Sequence, residues 1–188
     1  MCIRDSTIYE RAMAATPSAA ATAASDAPTD LGGVRYSISG AASLPSRIIE
    51  PWEARTGGML VEGYGLTETS PVLTINPLDD TRRAGTIGLP LPDTQLRIGD
   101  PHDLSRTQPD GEAGEILARG PQVFSGYLAD APATAAAFHD GWFRTGDMGV
   151  REPDGHIRLV GRIKEIIITG GFNVYPGEVE EALASHPD

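Results

Sequence analysis

Tyr64, Thr67 and Glu68 stand within five residues of one another in the stretch Gly63-Tyr64-Gly65-Leu66-Thr67-Glu68-Thr69-Ser70. A ring, a hydroxyl and an acid set so close can stack on a base, bond a phosphate and hold a magnesium ion. Gly63 and Gly65 flank the ring and let the backbone turn tightly on both sides of it. The apolar run Met59-Leu60-Val61 leads in and Pro71 follows, so the stretch reads as a buried strand that ends in a polar turn. In open α/β sheets ligands bind beyond the carboxyl ends of the strands, where this turn falls. A polar turn with no ligand is the plain alternative.

Two further groups carry chemistry. Gly141-Trp142-Phe143-Arg144-Thr145-Gly146-Asp147 puts a carboxylate after a glycine and two aromatics, and such an acid can accept both hydrogen bonds of a ribose diol. Arg162, two residues before Lys164, offers a planar fork for phosphate or ribose oxygens. A turn aspartate and a solvated charged turn are the plain alternatives here.

The elements that must position these groups follow from periodicity. Val34 to Ser39 alternates apolar and polar residues, the period of a strand, and ends at the small residues Gly40-Ala41-Ala42. A helix opens near Pro45, carries Ile48, Ile49 and Trp52 at helical spacing, is expected to kink at Pro51, and closes at Gly57. With the strand that delivers Tyr64 this is a βαβ unit with a parallel pair. After Asn76-Pro77 come short apolar pieces (Thr86–Leu89, Gln95–Ile98, Glu115–Arg119) separated by turn residues, which predict a small antiparallel sheet or barrel. Ala131–His139 reads as a helix, and Met148–Val150 with His156–Val160 as a hairpin about Pro153-Asp154-Gly155. The apolar Ile166-Ile167-Ile168 and Gly170-Gly171 follow. Pro176 then begins a helix with Glu178, Glu180 and Glu181 outside and Val179, Ala182 and Leu183 inside. Thr7–Ala15 suits a short helix, and residues 16–30, rich in Ala, Ser, Thr and Pro, a flexible loop.

Composition sets outer limits. The chain has 188 residues and a net charge of −11, which argues against a nucleic-acid footprint while leaving room for a nucleotide site. One cysteine, Cys2, excludes an internal disulfide and fits a reducing cytosol. Apolar runs are too short for a transmembrane segment, which leaves peripheral membrane contact open.

Taken in order, SGAASLP, EGYGLTETSP, GTIGLPLP, GEILARGPQVFSGY, GWFRTGDMG and GRIKEIIITGGFNVYPGEVE resemble the adenylate-forming (AMP-binding) superfamily: acyl-CoA synthetases, luciferases and peptide-synthetase adenylation domains. TSPVLTINPLD and GPQVFSGY look most like long-chain fatty-acid–CoA ligases. Thr7–Glu10 looks like the family's PTxY stretch.

The resemblance implies an α/β fold: the last part of a large AMP-binding domain over 7–161, then a hinge and the beginning of a small α+β domain over 162–188. Residues 1–6 match nothing in the family and are expected to be a non-native extension. It implies that Gly40, Ala41 and Ala42 line the adenine pocket, that Tyr64 stacks on the base, and that Gly63 and Gly65 beside it belong to the nucleotide site. Thr67 would bond the AMP phosphate, Glu68 ligate magnesium, Asp147 hold the ribose hydroxyls, and Arg162 reach ribose and phosphate. Lys164 would sit at the hinge, and Gly170 and Gly171 face the tunnel of coenzyme A. The implied reaction joins a carboxylic acid to ATP as an acyl-adenylate, then to coenzyme A, in the cytoplasm. The family's Gly-rich ATP loop and its late catalytic lysine have no counterpart here, so a fragment is expected, inactive alone and prone to aggregate. A non-catalytic AMP- or ATP-binding module, a peptide-synthetase adenylation domain, and an aryl- or malonyl-CoA ligase remain alternatives.

Overall fold

The computed structural model describes residues 31–40, 44–170, 172–176, 179, 182 and 183. The readings of 1–6, Thr7–Ala15, the 16–30 loop, Ala41, Ala42, Gly171 and the three glutamates after Pro176 lie outside them.

The first sheet is mixed. Strand β1 (Tyr36–Ser39) runs parallel to β2 (Met59–Tyr64), with Ser39 opposite Glu62. Between them a 3-10 turn, Ser46–Ile48, passes into helix α1 (Ile49–Thr56). Ile49, Trp52 and Thr56 are its buried residues, one stripe at spacings of three and four. Ile49 and Trp52 close with Leu44, Ile48 and Leu60 into a core, and the Trp52 indole N–H donates to Ser37 Oγ at 2.9 Å. Gly57 ends the helix at φ 71°, its N–H returning to the Glu53 carbonyl at 2.8 Å. Pro51 does not break the helix: it is the third helical residue, where its missing N–H would have had no partner.

Beyond Tyr64 the chain doubles back. Strand β3 (Thr74–Ile75) pairs antiparallel with β2, and β4 (Leu89–Pro90) with β3, giving the order β1-β2-β3-β4. Gly65 permits this return, because a Cβ there would lie 1.8 Å from the Pro71 carbonyl oxygen. Of the stretch Thr86–Leu89 only Leu89 is strand. Thr86 is instead tied to Asn76, whose side-chain amide donates to the Thr86 carbonyl at 2.6 Å.

The second sheet has six strands, all antiparallel. They are β5 (Gln95–Asp100), β6 (Asp103–Thr107), β7 (Ala113–Arg119), β8 (Phe138–His139), β9 (Trp142–Arg151) and β10 (Ile157–Arg162). The path is β10-β9-β7-β5-β6, with β8 on β9. Ala131–His139 is not one helix: α2 covers Ala131–Ala137, and Phe138 and His139 are drawn into the sheet opposite Phe143 and Trp142. The two sheets meet where Ile87, Ile98, Ile116 and Ile157 pack against the Tyr64 ring. The chemistry of the chain gathers at that junction.

Past β10 comes a 3-10 turn, Ile163–Glu165, then β11 (Ile167–Thr169) paired with β12 (Phe172–Val174). Ile163, Ile166 and Tyr175 pack on Met148, Val150 and Val160, so this segment is seated on the second sheet. Val179 and Leu183 do not face inward as the pattern predicts; they are exposed, as are Ile167 and Ile168.

Candidate functional site

Asp147 is the best-built group in the molecule. It lies in β9 and is 2% exposed, yet a regular strand would not aim it as it is aimed. Against β7 the register passes from Glu115–Met148 to Leu117–Arg144, so β9 carries a bulge over Thr145, Gly146 and Asp147. Bulges re-aim side chains and gather near sites. Three features hold this one. Gly146 takes φ 72°, which a residue with a side chain adopts at a cost. Thr145 Oγ1 donates to the Ile116 carbonyl at 2.8 Å and accepts the Asp147 N–H at 3.1 Å. The Glu115 carboxylate, 1% exposed, accepts the Gly146 N–H at 3.2 Å and two bonds from Arg144, at 3.1 and 2.9 Å. Glu115 and Thr145 are site-building residues that the motif reading passes over. The signal for Glu115 was an acid inside the apolar run Gly114–Ala118.

Both oxygens of Asp147 are engaged. The Tyr64 hydroxyl donates to Oδ2 at 2.7 Å, from the end of β2. Arg162 Nε lies 3.1 Å from Oδ1. The pairing of β10 with β9 sets Arg162 directly across from Asp147, after an irregularity at Val160. Burial pushes the Asp147 carboxyl up, while the Tyr64 hydroxyl and the Arg162 charge oppose that shift. Burial, then the adjacent Asp147 charge, raises the Tyr64 phenol. The structure thus joins Tyr64, Asp147 and Arg162 from three strands of two sheets. Arg162 remains 63% exposed along its side chain and can reorient.

Thr67 and Glu68 are delivered differently. They lie in a 3-10 turn, Thr67–Thr69, directly after β2. The buried Thr69 hydroxyl locks that turn, accepting the Leu66 N–H and donating back to the Leu66 carbonyl, both at 2.9 Å. Thr67 is therefore presented outward and Glu68 is half-buried. Glu68 Oε1 accepts a hydrogen bond from the Tyr127 hydroxyl at 2.9 Å. Gly40 and Gly63 follow Ser39 and Glu62, the last β1–β2 pair, and a Cβ on Gly40 would lie 3.5 Å from the Gly63 carbonyl oxygen. Lys164 and Gly170 are exposed, the first in the 3-10 turn after β10 and the second in the turn between β11 and β12.

One more buried acid adjoins the site. Glu62, at the end of β2, accepts the Leu44 N–H at 3.0 Å. Burial outweighs that bond and one from the Gly85 N–H, and its pKa is pushed up to about 7.

Among the described residues no three His, Cys, Asp or Glu side chains converge as a metal cage. A single carboxylate beside a phosphate site still suits magnesium, which keeps several waters and takes its other ligands from the phosphates. Glu68 in its outward turn meets that requirement. Among the described residues no helix is long and apolar enough to cross a membrane.

Comparison with known proteins gives the family. The family model described as AMP-binding enzyme matches residues 6–128. A long-chain-fatty-acid–CoA ligase of Yersinia pestis is 44% identical over 157 residues, 84% of this chain and 28% of the relative. An indoleacetate–CoA ligase of Aromatoleum aromaticum is 44% identical over 162 residues, 85% of this chain and 31% of the relative. The crystal structure of ATP-bound MatB from Rhodopseudomonas palustris superposes with a TM-score of 0.75 at 41% identity, covering 80% of this chain and 30% of that one. The chain spans less than a third of the length of the relatives it matches. With its mixed and antiparallel sheets in place, the chain belongs to the family of AMP-binding, adenylate-forming enzymes.

Proposed function

We propose that this chain carries the nucleotide-binding part of an ATP-dependent acyl-CoA synthetase, one that activates a carboxylic acid, here a fatty acid, and transfers it to coenzyme A. The observation that carries the reading is the buried Asp147 carboxylate, aimed by a supported bulge and bracketed by an aromatic ring and a guanidinium. Once the exposed Arg162 swings away from Oδ1, a carboxylate so placed would accept ribose hydroxyls. The Tyr64 ring stacks on the base, Gly40, Ala41 and Ala42 line the base pocket with small residues, and Gly63 and Gly65 belong to the same nucleotide site. Thr67 donates to the α-phosphate and Arg162 follows ribose and phosphate. Lys164 marks the hinge between a large domain, 7–161, and a small one beginning at 162. Gly170 and Gly171 face the coenzyme A path.

In this reading a substrate carboxylate oxygen attacks the α-phosphorus of ATP and pyrophosphate leaves. The thiolate sulfur of coenzyme A then attacks the acyl carbon and AMP leaves. Magnesium, held by Glu68 and the phosphates, would neutralise charge on the phosphate oxygens. The work of this chain's residues is positioning and charge stabilisation rather than covalent chemistry. The fatty-acid assignment is supported by the relatives' names and is finer than the ligase class, since relatives named for indoleacetate and sulfoacetate match comparably. A cytoplasmic setting belongs to the same proposal.

Titration of the chain with AMP tests the reading. Saturable binding is expected, with Asp147→Ala weakening it at least tenfold while the fold, followed by near-UV circular dichroism, is kept. Equal affinity of the variant would remove Asp147 from the site. Because the chain spans only part of its relatives, no pyrophosphate release is expected from ATP, magnesium and a fatty acid; release would show the chain to be catalytically sufficient.

A further inference from the structure

The loop Gly120–Asp130, between β7 and α2, reaches across to the turn after β2 and touches it twice at one residue. The Phe124 N–H donates to the Glu68 carbonyl at 2.8 Å, and the Tyr127 hydroxyl donates to Glu68 Oε1 at 2.9 Å. The hydroxyl is aimed from both sides of the loop. On one side the Phe124 ring meets Tyr127 edge-on at 4.9 Å and is itself held by Phe138 and Phe143, at 5.7 and 5.4 Å. On the other the Tyr127 N–H donates to Thr134 Oγ1 at 2.9 Å. Thr134 Oγ1 in turn donates to the Asp130 carbonyl, and Asp130 Oδ1 caps α2 at the Ala133 N–H. Tyr127 is 41% exposed, so its ring contributes little to the core. What the loop delivers is the hydroxyl.

We infer that Tyr127 is a positioning residue for Glu68, holding one carboxylate oxygen so that the other is presented to a divalent cation. This rests on the reading of Glu68 as the magnesium ligand. A neutral O–H donor suits the task. It fixes the carboxylate without cancelling its charge, as a lysine or arginine would, and so removes rotational freedom that a cation would otherwise have to freeze. Tyr127 lies 59 residues from Glu68 in sequence, and only the packing of the loop on the turn brings the two together.

The test compares ATP affinity in excess magnesium with ATP affinity in EDTA, for the chain and for Tyr127→Phe, Glu68→Gln and the double variant. The phenylalanine keeps the ring against Phe124 and loses only the hydroxyl. Tyr127→Phe is expected to reduce the magnesium-dependent gain in affinity about three- to tenfold, leaving AMP affinity in EDTA and the melting temperature unchanged. In the Glu68→Gln background it should change nothing further. A full magnesium gain in Tyr127→Phe overturns the inference. So does an equal loss with and without magnesium, which would make Tyr127 a packing residue. If the unaltered chain binds ATP but gains nothing from magnesium, Glu68 is not the metal ligand and the inference falls with that reading. If it does not bind ATP at all, the nucleotide reading itself fails.

Discussion

The turn after β2 and the bulge in β9 each present a carboxylate, by opposite means. At β2 the strand ends, and a short 3-10 turn locked by Thr69 holds Glu68 half-buried and Thr67 outward. At β9 the strand continues, and an inserted residue pair turns Asp147 inward at 2% exposure. A half-buried acid keeps part of its water. An inward acid has lost its water and needs donors already in place, which Tyr64 and Arg162 supply. Glycine serves the two devices differently: Gly65 provides room, Gly146 a left-handed φ.

Gly65→Val should have the largest effect. Its side chain would start inside the Pro71 carbonyl group, with backbone on the other side of the contact, and a cost of about 3 kcal/mol or more is expected in urea unfolding. Glu62→Gln separates the acids by pH. Between its ordinary value of 4.5 and its folded value of about 7, the unfolded chain has released the Glu62 proton and the folded chain still holds it. Stability therefore falls as pH rises through that window and is level above it. The glutamine has no proton to lose and still offers an oxygen to the Leu44 N–H. It should be the more stable form at pH 8, by up to about 3 kcal/mol, with the gap closing toward pH 4. A gap that does not change with pH would show that the Glu62 ionisation plays no part. Gly146→Ala should cost least, about 1 kcal/mol, because its Cβ position is open and only the positive φ opposes it. Equal costs for Gly65→Val and Gly146→Ala would erase the distinction between room and φ.

What was legible in the chain divides along the same line. Strand ends, caps and turns are written locally. Gly57 closes α1, the βαβ order gives the parallel pair, and Gly-Tyr-Gly before Thr-Glu marks the turn. The bulge is not written locally, since it arises from the register of β9 against β7 and from an acid 31 residues away. Tyr64 and Asp147 could be named separately from their motifs, but their 2.7 Å bond spans 83 residues and depends on how the two sheets pack. Phe138 and His139 continue the apolar pattern of a helix and were lost to it because β9 offered them strand partners. Val179 and Leu183 follow a helical stripe with no surface that covers them. Periodicity states which face wants burial, not whether burial is available.

The Tyr64 ring also has a mechanical consequence. It packs against Ile87, Ile98, Ile116 and Ile157 and against Leu73, Ala118 and Phe143, while its hydroxyl is tied to β9. Mechanically it is a shear pin: the mixed sheet cannot slide over the antiparallel sheet without dragging the ring and breaking its bond to Asp147. Under load the ring would share the resistance with the backbone bonds that join Ile87 and Gly88 to Ile157, at 2.8 and 3.1 Å.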